Sequence, residues 1–390
     1  MYDYSVVFLE DNIFNPSGLD ESSFLAFPRG KSQRYLYVVR INGSICTKNS
    51  FTRTLFDHHG KDFYCAIPSD ILDDVRNNKC KIVFDYTSET NDALGPSQIL
   101  SDLIRNTSKQ YSLRKRDIML CTGNLKSVKH HSDFYISISN FYFNLIAVDD
   151  SLIAQQRNLI ENKVSRDKKC LCLMRKPRPH RLSFAQLLFK QNLLHNNIVT
   201  MSAMENHPRL FGMKNLAMRD IKNNYNQDFI NSLPWTADSD RITVANALMT
   251  TDKEKQMYLD TSINFIIESN VEFDGIELDI TEKVIKPIVA MQPFVLLGQQ
   301  GSLNDLKQMG YKTFDRWWDE SYDTIPSSKI RMHYVAELFK HIQSLSNNQI
   351  AEMHYDMLPT LEHNLAVYKQ QQQHYLDDIY QTLNAMFDDK

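Results

Sequence analysis

Three features of this sequence predict an α/β chain of two domains followed by a helical segment. Short apolar runs rich in β-branched and aromatic residues alternate with helix-compatible stretches, the alternation restarts after residue 168, and it stops near residue 329.

The first half, 1–150, carries the runs "YSVVFL", "RYLYVVRI", "KIVFDYT", "RDIMLCTG" and "DFYISISNFYFNLIAV". "PSDILDDVRNN" and "GPSQILSDLIRNTSKQY" lie between them and suit helices, so a largely parallel sheet is expected, with a hairpin open to the first strands. Residues 151–168 are polar and charged without a strand signal and read as the connection to a second domain, 169–328. That half opens with "KCLCLMRKPRPHR", a strand breaking into a basic, proline-punctuated loop. A helix from about Ser183 to Leu194 and a strand, "NIVTMSA", follow. The asparagine-rich stretch 205–260, broken by Pro208 and Pro234, admits no clear pattern. "SINFIIES" is then a strand, 282–291 a helix and "PFVLLG" a strand. From 329 to 390 the periodicity is helical, and these helices are expected to pack back on both domains.

Composition narrows the class. With 390 residues, 42% of them hydrophobic, the chain can bury a substantial core, and a formal charge of -3 from 44 basic and 47 acidic residues gives no overall bias toward nucleic acid or membrane surfaces. Acids stand in "MYDYSVVFLEDNIF" where a signal peptide would be basic, and no apolar run approaches membrane-spanning length. The chain therefore reads as cytoplasmic. Of six cysteines (Cys46, Cys65, Cys80, Cys121, Cys170, Cys172) only the pair in "CLC" is close, which suits buried thiols better than zinc.

The most informative stretch is "ESNVEFDGIELDITEKVIKPIVAMQPFVLLG", from Glu268 to Gly298. In an open α/β sheet, ligands bind beyond the carboxyl ends of strands, where Glu268 and Asn270 stand. Asp279 and Thr281 can each cap the next helix, and Asp279 has the capping-box spacing to Glu282. Glu282 suits the positive end of a helix dipole, whereas Lys283 opposes it unless an anion stands in front. A nucleoside diphosphate supplies that anion, with the carboxylate accepting from ribose hydroxyls and the ammonium facing phosphate. The competing reading is an ordinary solvated helix start. The loop "RKPRPHR" brings Arg175, Lys176, Arg178 and Arg181 to the same crevice, with Arg175 and Arg178 the candidates for the diphosphate.

The stretch "FIIESNVEFDGIELDITEKVIKPIVAMQPFVLLG" resembles the donor-binding segment of the α1,3-fucosyltransferase family, roughly F-x-F-E-N-S, a spacer, D-Y-x-T-E-K, a helix and P-V-x-x-G. Ser-Asn follows Glu268 where the family has Asn-Ser, the spacer is longer, and Asp279-Ile280 stands for Asp-Tyr. The resemblance implies a GT-B-like architecture of two facing Rossmann-like domains, the first for the acceptor and the second for the nucleotide sugar. It assigns Glu268, Glu282, Lys283 and Arg175 to the donor, in a hexosyl- or fucosyltransferase-like enzyme, and the strand-end Asn270, the cap Thr281 and the loop Arg178 join them as donor-binding candidates. "GSLNDLKQMGYKTFDRWWDESYD" is similar to glycosyltransferase-like proteins of large phages and marine viruses.

An inverting transferase also needs a general base; a retaining one does not. Asp85 and Glu89 in "FDYTSETND" rank first because "KIVF" is the clearest buried strand of its half. His130, His131 and Asp133 in "KHHSD" and Glu10 and Asp11 in "LEDN" follow, and each has a plain loop role as its alternative. Asp238-Ser239-Asp240 is the one D-x-D of metal-dependent type, but its flanks are polar rather than strand-like, so no metal and no cofactor beyond the donor are expected. Asp319, Glu320 and Asp323 either face the donor sugar or cap the helix beginning near Ser327, and "GSL" at 301–303 is a weak phosphate-loop signal. The acceptor is a saccharide or another hydroxyl-bearing molecule. A DNA-base transferase using Arg114-Lys115-Arg116 and the 126–131 cluster is less favoured, and a noncatalytic sugar-nucleotide or glycan-binding protein is the remaining alternative.

Overall fold

The computed structural model describes residues 4–9, 24, 27–41, 64–87, 99–124, 131–139, 146–174, 177–202, 224–235, 251–272 and 280–389. The chain divides into two compact units. One is Met1–Asn144, Ile276–Leu278 and Gln372–Lys390; the other is Leu145–Gly275 and Asp279–Gln371.

Unit 1 contains β1 (Ser5–Phe8), β2 (Tyr35–Arg40), α1 (Ser69–Arg76), β3 (Cys80–Tyr86), α2 (Ile99–Tyr111), β4 (Ile118–Thr122) and β5 (Tyr135–Ile138). All five strands are parallel and lie in sequence order, β1-β2-β3-β4-β5. The hairpin left open for the first strands is not formed. Ser5 pairs with Tyr35 in parallel, and the chain between is long enough for a crossover. Strands covered on both faces need apolar residues at both parities, which is why they are legible as continuous runs. Tyr37, Val39, Ile82, Phe84 and Leu120 pack with Ile71 and Val75 of α1 and Leu103 and Ile104 of α2. Leu36, Val38, Val83, Met119 and Cys121 point the other way. Sequential order with crossovers of one hand puts α1 and α2 on the same face and leaves the second face for another element.

Unit 2 contains α3 (Asp150–Glu161), β6 (Lys168–Met174), α4 (Pro179–Lys190), β7 (Ile198–Met201), α5 (Gln227–Asn231), α6 (Asp252–Asp260), β8 (Thr261–Ile267), α7 (Glu282–Val289), β9 (Phe294–Leu297), α8 (Ser302–Gln308), α9 (Ser328–Ser344) and α10 (Asn347–His374). The stretch expected as a connection, 151–168, carries α3. Asp149 caps it through Ser151 N and Leu152 N, and Leu152, Ile153 and Ile160 form its buried face. The sheet is parallel with order β7-β6-β8-β9. Helix α9 lies along it, with Phe339 against Phe265 at 4.6 Å.

The last helix, α11 (Asp377–Asp388), belongs to unit 1 and covers its second face with Ile379, Leu383, Met386 and Phe387. Polar contacts fix its register: Asp378 Oδ2 accepts from Ser137 Oγ at 3.0 Å and Ile138 N at 2.7 Å, and Tyr4 OH donates to Asn384 Oδ1 at 2.8 Å. Among the described residues, no helix is long and apolar enough to cross a membrane.

Candidate functional site

Strand order locates the crevice. In unit 2 the chain moves from β6 to β7 on one side and reaches β8 on the other, so the loops after β6 and β8 diverge at a topological switch point. Among the described residues, unit 1 is wound in one direction and shows no such reversal.

On the β8 side stands Glu268, 1% exposed. Thr281 Oγ1 lies 2.9 and 3.0 Å from its two carboxylate oxygens, Ser269 N donates to Oε2 at 3.1 Å, and Lys283 Nζ stands 3.5 Å from Oε2. Thr281 is the N-cap of α7: its hydroxyl accepts from Lys283 N at 3.3 Å and from Lys283 Nζ at 2.9 Å. The helix begins at Glu282, so the capping-box register expected from Asp279 is not the one used; Asp279 lies outside the described residues. Lys283 Nζ also donates to Glu282 Oε1 at 3.0 Å. A first-turn lysine that works against the helix dipole is thus met by two carboxylates of its own chain.

Burial pushes the Glu282 carboxyl up, but Lys283 and then Lys286 outweigh it and bring it down to about 2, so Glu282 is an anion at neutral pH. Lys286, one turn on and 8% exposed, pairs with Glu254 of α6 at 2.5 Å. Burial holds Glu254 above the usual carboxylate range against the pull of Lys286.

From the β6 side, residues 178–181 grip the strand-end backbone. Arg178 Nη1 donates to Ser269 O at 2.7 Å and reaches Asn270 Oδ1 at 3.4 Å. His180 Nε2 bonds Glu268 O at 2.9 Å, and Arg181 Nε and Nη2 donate to Ile267 O at 3.2 and 2.8 Å. Three successive carbonyls of β8 and its loop are therefore held by one helix start. A carbonyl only accepts, so His180 presents Nε2–H; burial lowers its pKa to about 4 and keeps it neutral. Burial also lowers Arg181 to about 10. The sequence places Arg181 at the border of the crevice. At 3% exposure it faces inward instead, on the same helix face as Leu182, Ala185 and Leu188. Arg175 and Lys176 lie outside the described residues.

Of the candidate bases, Asp85 sits at the carboxyl end of β3, 3% exposed, with Oδ1 accepting from Thr87 N at 3.1 Å and Thr87 Oγ1 at 2.7 Å. Glu89, Glu10, Asp11 and His130 lie outside the described residues, as does Asp238-Ser239-Asp240. His131 and Asp133 precede β5, which places them at the amino end of the parallel strands, opposite the carboxyl end where Asp85 stands. There Arg105 Nε donates to Asp133 Oδ2 at 3.1 Å. Among the described residues, no group of three or more His, Cys, Asp or Glu side chains is arranged for a metal ion.

Of the acids at 319–323, Glu320 and Asp323 turn inward while Asp319 stays exposed. Asp323 Oδ2 accepts from Leu303 N at 3.1 Å and Asn304 N at 3.3 Å, so the "GSL" turn is capped from within the chain and is no phosphate loop. Asp323 thus caps α8, while Ser327 caps α9 through Ile330 N. Asp319 holds Ser321, and buried Glu320 accepts from Phe314 N at 2.8 Å. Trp318 is buried, and Trp317 Nε1 donates to Asp356 at 2.9 Å. The basic triplet is also engaged: Arg114 pairs with Asp117 at 2.9 Å, Lys115 lies over the Tyr135 ring and Arg116 donates to Asp389 O at 2.6 Å.

Arg331 is the functional neighbour the sequence reading passed over. It is 1% exposed and donates to Val271 O, Gly298 O, Ile325 O and Pro326 O, joining the loops after β8 and β9. Its signal is present in the sequence: Arg331, Val335, Phe339 and Ile342 share one helical face, an arginine at a core position.

Two α/β units with parallel sheets and one switch-point crevice define the class of this protein. No protein-family model matches the chain, and no curated protein matches it. Among solved structures it is similar to "OtsA apo structure" at 12% identity, over 89% of this chain and 73% of that one, with a TM-score of 0.39. A trehalose-6-phosphate structure from E. coli bound with UDP-2-fluoro glucose is similar at 11% identity, over 90% and 74%, with a TM-score of 0.37. An α,α-trehalose-phosphate synthase (UDP-forming) from Burkholderia vietnamiensis is similar at 9% identity, over 91% and 73%, with a TM-score of 0.44. These likenesses are distant and assign no activity to this chain.

Proposed function

We propose that the protein is a GT-B-like, metal-independent glycosyltransferase that moves a sugar from a nucleotide-diphosphate donor to an acceptor hydroxyl, a glycan being the favoured acceptor. The observation that carries this reading is the cluster Glu268–Thr281–Lys283–Glu282 at the helix start beside the β6/β8 switch point, with Arg178 on the adjacent Ser269 and Asn270. Glu282, anionic and with its side chain 19% exposed, is the acceptor for the ribose hydroxyls. Lys283, Arg178, Arg175 and Asn270 are the groups for the diphosphate.

In the reaction the acceptor oxygen forms a bond to the anomeric carbon while the bond from that carbon to the diphosphate oxygen breaks. The nucleoside diphosphate leaves with the electron pair, and the cationic groups stabilise that charge. In an inverting enzyme the acceptor proton passes to a carboxylate of unit 1, Asp85 or Glu89. The intrachain contacts of Arg114, Lys115 and Arg116 support a saccharide acceptor over DNA.

The test is a thermal-shift screen of UDP, GDP, CMP and dTDP and their sugar conjugates, with and without EDTA, on the wild type and Lys283→Ala. One nucleotide at about 100 times its Kd should stabilise the wild type by about 2.7 kcal/mol, independently of EDTA, and the variant should lose that shift. Absence of any shift in the wild type sinks the reading. Binding without slow donor hydrolysis moves it to a noncatalytic sugar-nucleotide binder.

A further inference from the structure

We infer that Arg331 is a positioning residue of the donor site that acts through Asn270, an inference that rests on the nucleotide-sugar reading. The loop leaving β8 runs through Glu268, Ser269, Asn270 and Val271, and its carbonyls are fastened from two sides. From the start of α4, His180 holds Glu268 O at 2.9 Å and Arg178 holds Ser269 O at 2.7 Å. Two residues on, Val271 O is held by Arg331 Nη2 of α9. Asn270 therefore stands between fastenings made by two different helices. Ser269 and Asn270 are half-buried, whereas Val271 is 1% exposed, so the loop turns toward solvent at Asn270 and back into the interior at the next residue.

The contacts of Arg331 suit it to set that turn. Nη1 donates to Ile325 O and, at 2.8 Å, to Pro326 O, the carbonyls that lead into its own helix. Nη2 donates to Val271 O and reaches Gly298 O at 3.4 Å, in the loops after β8 and β9. A planar guanidinium offers donors in fixed, separate directions, so it can span the α9 start and both loops; a lysine ammonium offers its donors at one point. Burying a cation at 1% exposure is costly, and the four carbonyl acceptors offset that cost. Val335, Phe339 and Ile342 on the same helix face serve the core by apolar packing alone, so the arginine answers a demand of the loops. On the other side Arg178 Nη1 reaches Asn270 Oδ1 at 3.4 Å. Arg178 thus orients the Asn270 amide while Arg331 fixes the backbone just beyond it, and together they aim Asn270 at the diphosphate.

The experiment is a double-mutant cycle read by nucleotide affinity. Calorimetry measures binding of whichever of UDP, GDP, CMP or dTDP stabilises the wild type to four proteins: wild type, Arg331→Lys, Asn270→Ala and the two changes combined. Arg331→Lys keeps the charge and loses the span, so affinity should fall about tenfold, and the combined variant should bind no more weakly than the weaker single variant. Arg331→Gln runs the same cycle, so a variant that does not fold leaves the other to decide. Leu361→Ala, a buried change in α10, controls for lost stability and should bind as the wild type does. Effects that add, wild-type affinity in Arg331→Lys or in Asn270→Ala, or an equal loss in Leu361→Ala each overturn the inference while the proposed function stands. A wild type that binds none of the nucleotides overturns the proposed function, and the role of Arg331 falls with it.

Discussion

Thr281→Val tests the cap on which the candidate site is built. The two side chains have nearly the same shape, so the change removes one hydroxyl and little volume. That hydroxyl, on a residue 5% exposed, donates to Glu268 and accepts from Lys283 N and Lys283 Nζ. Loss of the cap costs about 1 kcal/mol. Loss of a hydrogen bond to a buried carboxylate costs about 1.5–3 kcal/mol more, because Glu268 at 1% exposure has no water to turn to. A total near 3 kcal/mol lowers Tm by about 6–12 °C for a unit of this size. Differential scanning calorimetry measures it. Thr281→Ser keeps the hydroxyl and should stay within about 1 kcal/mol of the wild type. If the valine variant melts within about 1 °C of the wild type, the Thr281–Glu268 bond contributes nothing and the cap argument fails.

Two further outcomes are expected. Leu383→Ala in α11, at a fully buried position, should destabilise unit 1 by about 2–5 kcal/mol in urea unfolding. It should also speed labelling of the buried Cys121 thiol by a disulfide reagent, with Cys121→Ser as control; unchanged labelling would mean that α11 does not guard that face. Burial lowers His180 to about 4 and His354 to about 3, from an ordinary value of 6.5. The unfolded chain therefore binds more protons below that value, and stability should fall as pH drops from about 6.5 toward 4. The slope approaches about 2.7 kcal/mol per pH unit near pH 5 while both histidines remain neutral in the fold. A urea midpoint that is flat between pH 7 and 5 would refute this.

The strands of both units were legible because burial on two faces writes continuous apolar runs, as in "KIVF" and "NFII". Their order was not, since periodicity says that a face is buried and not what covers it. The face of Leu36, Val38 and Met119 is closed by a helix that follows it by more than two hundred residues in the chain. The same limit applies at the site. Glu268, Thr281, Glu282 and Lys283 could be grouped from spacing, because a strand end and a helix start lie close in sequence. The grip of Arg178, His180 and Arg181 on carbonyls 267–269 joins side chains to backbone some ninety residues away, and Arg331 reaches Val271 across 60 residues. Such contacts leave no local pattern beyond a charged residue placed on an apolar helix face. The turn at Gly301 is the converse case: its glycine at φ +83 and the adjacent helix start suit an anion, and Asp323 of the same chain supplies one.

Under the nucleotide-sugar reading, the two carboxylates that meet Lys283 have unequal roles, and exposure separates them. Glu268 is 1% exposed and is bonded to the Thr281 hydroxyl and the Ser269 amide, so moving it would strand a buried charge. Glu282, with its side chain 19% exposed, holds Lys283 through a contact that solvent already screens. When a diphosphate approaches the α7 start, the exchangeable partner of Lys283 is therefore Glu282, and the phosphate replaces it in the same electrostatic position. Glu282 is released toward the ribose hydroxyls as Lys283 turns to phosphate. Glu268 and Thr281 keep the helix start where it was. Binding thus exchanges the partly exposed partner of Lys283 for the ligand, and the Glu268–Thr281 contact is left in place.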